Sequence, residues 1–332
     1  MEGLMERFNG LNALVVGDVM IDTYSKGVVE RMSPEAPVSI VNLRDRFSRL
    51  GGAANVALNL KALGADATVC AVVGDDLPAD TFFALMQAHG MKTDGLVRSD
   101  KRRTTVKQRV FNGDQQVLRI DEEDTFDLTD EEHRNLWHVI EKAMTKTPFD
   151  VIVLQDYNKG VLTEKMIHDI IQLANSKHIP VAVDPKKKNF FAYEGVTLFK
   201  PNAKELRDGL GARAETVAEL HQAARQLQER LRCPYLMVTL SERGVIILHD
   251  PCLNGKEYVF HHLPAHQRAI ADVSGAGDTV LSVAALCAAL QIDAKTTATL
   301  SNLAGGLVCE EVGVVPIDKS RFLEEVKRIC HE

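Results

Sequence analysis

Short, β-branched apolar runs alternate with segments of helical periodicity along most of this chain. Residues Asn12–Gly17, Thr68–Val73, Val151–Leu154, Val181–Asp184, Val196–Phe199 and Leu236–Thr239 are four to six residues long and largely apolar. Between them, 53–63, 79–89, 130–146, 163–177, 203–209 and 215–231 carry helical patterns. Strands that read as continuous hydrophobic runs are buried on both faces, and the helices between them supply the cover. The expected fold class is therefore α/β, with a central, mostly parallel sheet and helices on both faces.

Two stretches break the rhythm. Residues of about 25–48 and 104–121 are strand-like but more polar. Val38–Leu43 and Val106–Phe111 alternate as one-sided strands do, and Asn112-Gly113-Asp114 is a hairpin signal. A small second sheet, built from these two excursions and covering a site, is expected. At 332 residues the length suggests about two domains. With no internal repeat and no separating linker, one domain over 1–332 with a discontinuous lid fits better.

The net charge of −7 argues against nucleic-acid or membrane-surface binding by the whole protein, leaving room for a local basic site. The six cysteines form no CxxC pair and read as scattered reduced thiols. The N-terminus carries Glu2 and Glu6 and does not fit a signal peptide. The longest apolar stretch, Val280–Leu290, is about half a membrane span. A soluble, cytoplasmic protein is expected. His261, His262 and His266 match no zinc spacing, and Trp137 reads as a helix packing residue.

The most informative segment is Asp272-Val-Ser-Gly-Ala-Gly-Asp-Thr279, which opens a long apolar helix. A glycine-rich turn feeding a helix leaves free backbone N–H groups and a partial positive charge at one spot, which suits phosphate oxygens. Asp278 inside that turn is costly unless it accepts a proton from a hydroxyl attacking the phosphoryl group. The alternative is a plain N-cap. A second glycine pair, Leu50-Gly-Gly-Ala-Ala-Asn55, opens another helix. Small residues there admit a ligand close to the backbone, and Asn55 can donate and accept hydrogen bonds to a polyol. Tight helix–sheet packing explains the alanines equally well.

These two segments resemble the N- and C-terminal signatures of the ribokinase-like, phosphofructokinase-B type carbohydrate kinases. Gly17-Asp18, Pro201-Asn202-Ala-Lys-Glu205 and Thr239-Leu-Ser-Glu-Arg-Gly244 agree with that resemblance, which covers essentially the whole chain. It implies ATP as phosphoryl donor, with Asp278 as base and Gly275, Ala276 and Gly277 as the anion hole. It assigns Asn202 and Glu205 to Mg²⁺ and phosphates, with Glu205 acting through water. Ser241, Gly244 and Asn302 fall on the nucleotide side. Asp272 resembles a monovalent-cation (K⁺) ligand, or is a loop-capping residue. On the acceptor side Asp18, Gly51, Gly52 and Asn55 would form the sugar pocket. Asp22 either joins them or is a surface turn residue.

A finer resemblance is to bacterial D-β-D-heptose 7-phosphate kinases, carried by Gly17–Tyr24, Arg31–Val38 and Val183-Asp-Pro-Lys186. It implies phosphorylation of the C1 hydroxyl of D-glycero-β-D-manno-heptose 7-phosphate to the 1,7-bisphosphate, toward the ADP-heptose of lipopolysaccharide core. Lys107 and Arg109, on one lid face by alternation, are expected to meet the substrate phosphate. The alternative is a solvated basic edge. Lys101–Arg103 are weaker candidates for the same contact. Lys186 is expected to reach nucleotide phosphates or the acceptor, while Lys187 makes the local loop a departure from the subfamily. Other readings are a 6-phosphofructokinase or tagatose-phosphate kinase, or a silent sugar- or nucleotide-binding regulator. A homodimer through the lid is expected. So is a kinase without the C-terminal adenylyltransferase fused to many relatives of this type, since the sequence ends at Glu332.

Overall fold

The computed structural model describes residues 2–255 and 257–331. The strands are β1 (Asn12–Gly17), β2 (Val19–Met32), β3 (Ser39–Gly52), β4 (Asp66–Gly74), β5 (Leu96–Ser99), β6 (Val106–Asn112) and β7 (Gln115–Glu122). They continue with β8 (Val151–Gln155), β9 (Val181–Asp184), β10 (Leu198–Phe199), β11 (Tyr235–Thr239), β12 (Val245–His249) and β13 (Val259–Leu263). The helices are α1 (Glu2–Glu6), α2 (Ala53–Leu63), α3 (Leu77–Ala88), α4 (Asp130–Lys146) and α5 (Glu164–Ser176). After them come α6 (Ala203–Leu210), α7 (Val217–Leu231), α8 (Ala276–Ala289), α9 (Ala294–Val308) and α10 (Lys319–His331).

The main sheet runs β13-β12-β11-β10-β9-β8-β1-β4-β5. Every pairing from β11 to β5 is parallel, and β12 and β13 add an antiparallel edge. Central β1 shows why the runs are apolar throughout. Ala13 and Val15 join the core under α2, α8 and α9, while Leu14 and Val16 join the opposite core under α4, α5 and α7. A period of two sends alternate side chains to two buried layers. Local chemistry fixes the helix ends. Thr129–Glu132, Asn202–Glu205 and Thr216–Glu219 form reciprocal capping boxes at α4, α6 and α7.

The lid is a four-stranded sheet in the order β3-β2-β6-β7. It is longer than the polar stretches suggested, because pairing of β2 with β3 continues down to Val19 opposite Gly52. Val19, Met20 and Ile21 are buried, so the strand's root is apolar and only its outer part looks like a lid. Val28, Met32, Val38, Leu43 and Leu118 lie exposed on that outer part. The structure also shortens Val196–Phe199 to the two paired residues of β10. It adds β5, β12, β13 and α1 to the elements read from the sequence.

Candidate active site

In a parallel sheet every strand ends on the same side, so residues at successive carboxyl ends are brought together. Gln155 ends β8, Asp184 ends β9, Lys200 follows β10 and Thr239 ends β11. The start of α8 lies over these ends. Gly277 has Asp184 Oδ2 and Lys200 Nζ within 3.6 and 3.8 Å of where a Cβ would be. α2 enters from the other side, bringing Asn55 against Gly275.

Asp278 is not an N-cap. Gly275 occupies that position with φ 82°, left-handed backbone that glycine adopts without strain, and makes no side-chain cap bond. Asp278 is the third helical residue, buried, with its carboxylate turned inward. Its Oδ2 accepts from Asn55 Nδ2 at 2.7 Å. Its Oδ1 accepts from the Tyr157 hydroxyl at 2.8 Å and from Gln155 Nε2 at 3.2 Å. Burial pushes its pKa up to about 6, aided by the negative Asp184, while the Asn55 and Tyr157 hydrogen bonds and Lys200 pull the other way. A carboxylate with a pKa there is ionised at neutral pH yet basic enough to take a proton.

Beside it lies a charged cluster. Asp184 bonds Lys186 and Lys200, each at 3.1 Å, and Lys186 also reaches Glu205 at 2.7 Å. Burial opposes ionisation of Asp184, but the two ammonium groups prevail and hold its pKa below the ordinary value. Burial likewise opposes the charge on Lys186, and Asp184 and Glu205 overcome it, raising its pKa. Asn202 and Glu205 are engaged with each other as a capping box, and the second Glu205 oxygen takes Lys186. No group of three or more His, Cys, Asp or Glu side chains among the described residues could hold a metal directly. The oxygen donors of Asp184 and Glu205, already accommodating a cation, fit a hydrated Mg²⁺ better than a bare one.

The carboxylates that follow β1 and lie in β2 are both engaged within the protein. Asp18 is buried, and its carboxylate accepts the backbone N–H groups of Tyr157, Lys159 and Val161 at 2.7, 3.0 and 3.1 Å. These bonds fold the turn after β8, with two donors on Oδ2 and one on Oδ1. Asp22 lies four residues further on, in β2. It is buried, lies where a Cβ on Gly51 would sit, and pairs with Arg109. Glycine at 51 is thus demanded by close approach. Asn55 sits against Asp278. Gly52 starts α2 with its Cβ position against the Asp18 carbonyl.

Lys107 and Arg109 share one lid face, paired in register with Asp22 and Tyr24. Lys107 bonds Asp121 at 3.2 Å and Glu123 at 3.0 Å, and Lys159 also reaches Glu123. The Arg109 guanidinium lies 5.5 Å from the Tyr24 ring centre. The weaker candidates fall away from the site. Arg102 is buried against Glu132 and the carbonyls of Lys159 and Phe126, and Lys101 and Arg103 pair with Asp100 and Asp124.

On the opposite side a cavity of about 350 Å³ is lined by Asn202, Lys204, Arg207, Thr239, Ser241 and Arg243. Gly244, with φ 88°, packs against Leu263 and Ala265, and Asn302 donates to the neighbouring Pro264 carbonyl. Gly244 and Asn302 therefore converge on one loop. Asp272 accepts N–H groups from Ser274 and Gly313, which is the loop-capping arrangement. His262 bonds the Arg243 carbonyl at the sheet edge. Gln155, Tyr157 and Lys200 were not legible as site residues, because the signal lies in their position at strand ends and not in any local motif.

Residues 11–320 match the family described as pfkB family carbohydrate kinase. A bifunctional protein HldE of Methylobacillus flagellatus is 40% identical over 95% of this chain and 63% of its own length. One of Pelobacter propionicus is 37% identical over 98% and 65%. The chain thus spans less than two thirds of these relatives. In structure it is similar to phosphofructokinase-2 from Escherichia coli in complex with potassium, with a TM-score of 0.78 at 16% identity over 98% of this chain and all of the other. Arabidopsis thaliana ribokinase complexed with ribose and ATP gives 0.70 at 16% identity, over 95% and 99%. No helix of the described residues is long and apolar enough to cross a membrane.

Proposed function

The chain belongs to the pfkB family of carbohydrate kinases, and we propose that it transfers the γ-phosphoryl group of ATP to the C1 hydroxyl of D-glycero-β-D-manno-heptose 7-phosphate. Asp278 takes the hydroxyl proton as the oxygen attacks the γ-phosphorus. The bond to the β–γ bridging oxygen breaks and ADP leaves. The N–H groups of Gly275 and Gly277 at the opening of α8 stabilise the charge that builds on the transferred group, with Ala276, whose own N–H donates to the Val273 carbonyl, completing the turn. Mg²⁺, held through water near Asp184 and Glu205, would neutralise phosphate charge, and Lys186 would turn to the same phosphates. Asn202, Ser241, Gly244 and Asn302 frame the nucleotide side. Asp272 keeps a lone pair on each oxygen, so a K⁺ ion at that corner is compatible with its capping bonds.

The observation that carries the reading is the inward-turned carboxylate of Asp278, held by three side chains at a helix N-terminus and by no backbone amide. A pure binder has no need of such a base. The heptose assignment rests on the subfamily resemblance of Gly17–Tyr24, Arg31–Val38 and Val183–Lys186, on the relatives at 40% and 37% identity, and on Lys107 and Arg109 sharing one lid face, where their partners are Asp121, Glu123 and Asp22. Its product would feed ADP-heptose synthesis for lipopolysaccharide core. The apolar outer part of the lid supports a homodimer, which light scattering tests; a stable monomer counts against it.

Turnover of heptose 7-phosphate, fructose 6-phosphate and tagatose 6-phosphate side by side tests the acceptor. The highest kcat/KM is expected for the heptose. Preference for a hexose phosphate would replace the heptose assignment with a phosphofructokinase-like one and leave the kinase chemistry standing.

A further inference from the structure

We propose that Tyr157 is a positioning residue for phosphoryl transfer, its hydroxyl holding the Asp278 carboxylate ionised and aimed at the acceptor. This rests on Asp278 being the base, and not on which sugar is bound. The hydroxyl donates to Asp278 Oδ1 at 2.8 Å. The other donor on that oxygen, Gln155 Nε2, is longer at 3.2 Å and also faces Asp184 at 3.4 Å, and Gln155 Oε1 is buried without a partner. Tyr157 therefore makes the shorter and undivided contact on that oxygen.

Three further features fit a donor and not a spacer. The turn that carries Tyr157 is pinned by Asp18, which accepts its backbone N–H and those of Lys159 and Val161. Asp18 thus fixes the residue that meets the base. The Lys186 ammonium lies 5.5 Å from the Tyr157 ring centre. A cation over the ring favours electron withdrawal from the phenol and strengthens its O–H as a donor. Finally, burial, together with the negative Asp278 and Asp184, pushes the phenol pKa well above 10.0, so Tyr157 stays protonated and never competes as a base.

The ionisable groups acting on Asp278 from the surrounding elements are Asp184 from β9, Lys200 after β10 and Tyr157 after β8. Asn55 from α2 and Gln155 add neutral donors. Removing the hydroxyl removes a bond made to the charged form, so the Asp278 pKa rises.

The test is the pH dependence of kcat/KM for Tyr157→Phe, read with the γ-thio analogue of ATP so that chemistry limits the rate. The acid limb is expected to move up by about one pH unit. Activity then falls about five-fold at pH 6 but only about two-fold at pH 7, and recovers toward the unsubstituted enzyme by about pH 9, with ATP affinity and thermal midpoint little changed. A purely structural role lowers activity evenly at all pH values, and an unmoved acid limb overturns the proposal. Asp278→Asn separates the two claims. If that variant is inactive and the Tyr157→Phe limb does not move, only the role of Tyr157 falls. If Asp278→Asn turns over normally, the base assignment falls, and the role of Tyr157 with it.

Discussion

Replacing Asp278 by Asn tests both the chemistry and the energetic cost of burying a base. Burial raises the Asp278 pKa from 3.8 to about 6. At roughly 1.4 kcal/mol per unit, that displacement makes the ionised carboxylate about 3 kcal/mol less compatible with the folded state than with the unfolded one. The sign follows from proton binding. The folded protein binds this proton more tightly, so the contribution to stability is full below about pH 3.8, is lost as pH rises, and levels off above about pH 6. Asparagine has no proton to lose. The stability of Asp278→Asn relative to the unsubstituted protein should therefore climb between about pH 4 and 6, by up to about 3 kcal/mol, and then stay flat. Turnover should fall by about 10²–10⁴-fold, the usual contribution of a positioned base. Paired thermal or urea unfolding from pH 4 to 8, ATP titration calorimetry and steady-state kinetics read all of this. Near-normal turnover, or a stability difference that does not vary with pH, would refute the reasoning.

Other substitutions probe separate parts of the account. Asp18→Asn should destabilise the fold by about 1–3 kcal/mol by breaking bonds to buried backbone N–H groups; a large rise in sugar KM with no loss of stability, read by kinetics and urea unfolding, would instead make it a substrate ligand. Arg109→Ala should weaken the phosphorylated sugar more than ATP, as measured by separate calorimetric titrations; equal losses count against a phosphate contact. Arg102→Ala leaves Glu132 buried without its guanidinium, and urea unfolding should show a loss of about 3–5 kcal/mol with the KM values of the remaining folded enzyme unchanged.

Much of the fold was legible because parallel strands buried on both faces have a strong signature. Runs such as Val151–Leu154 and Val181–Asp184 could hardly fold otherwise. The lid was legible because its outer strands alternate, but its root was hidden. Val19–Ile21 is as apolar as a core strand, and only pairing with Gly51 and Gly52 shows that it belongs to the lid. The edge strand β13, Val-Phe-His-His-Leu, is polar at the sheet margin and carries little pattern of its own. At the site, Asp278 and its glycines could be read because a glycine turn opening a helix is local chemistry. Asp18 shows where that kind of reading stops. A carboxylate after the first strand looks the same in sequence whether it faces a ligand or three backbone amides 139 to 143 residues away. Gln155, Tyr157 and Lys200 gather only because the strands that carry them run side by side.

The central claim is a regiospecific phosphoryl transfer to a phosphorylated sugar. Phosphorus and proton NMR of the product formed from ATP and D-glycero-β-D-manno-heptose 7-phosphate tests it most directly. A new phosphomonoester coupled to the anomeric proton is expected, with ADP released in equal amount. A phosphate on any other carbon, or ATP consumed with the sugar unchanged, would contradict it.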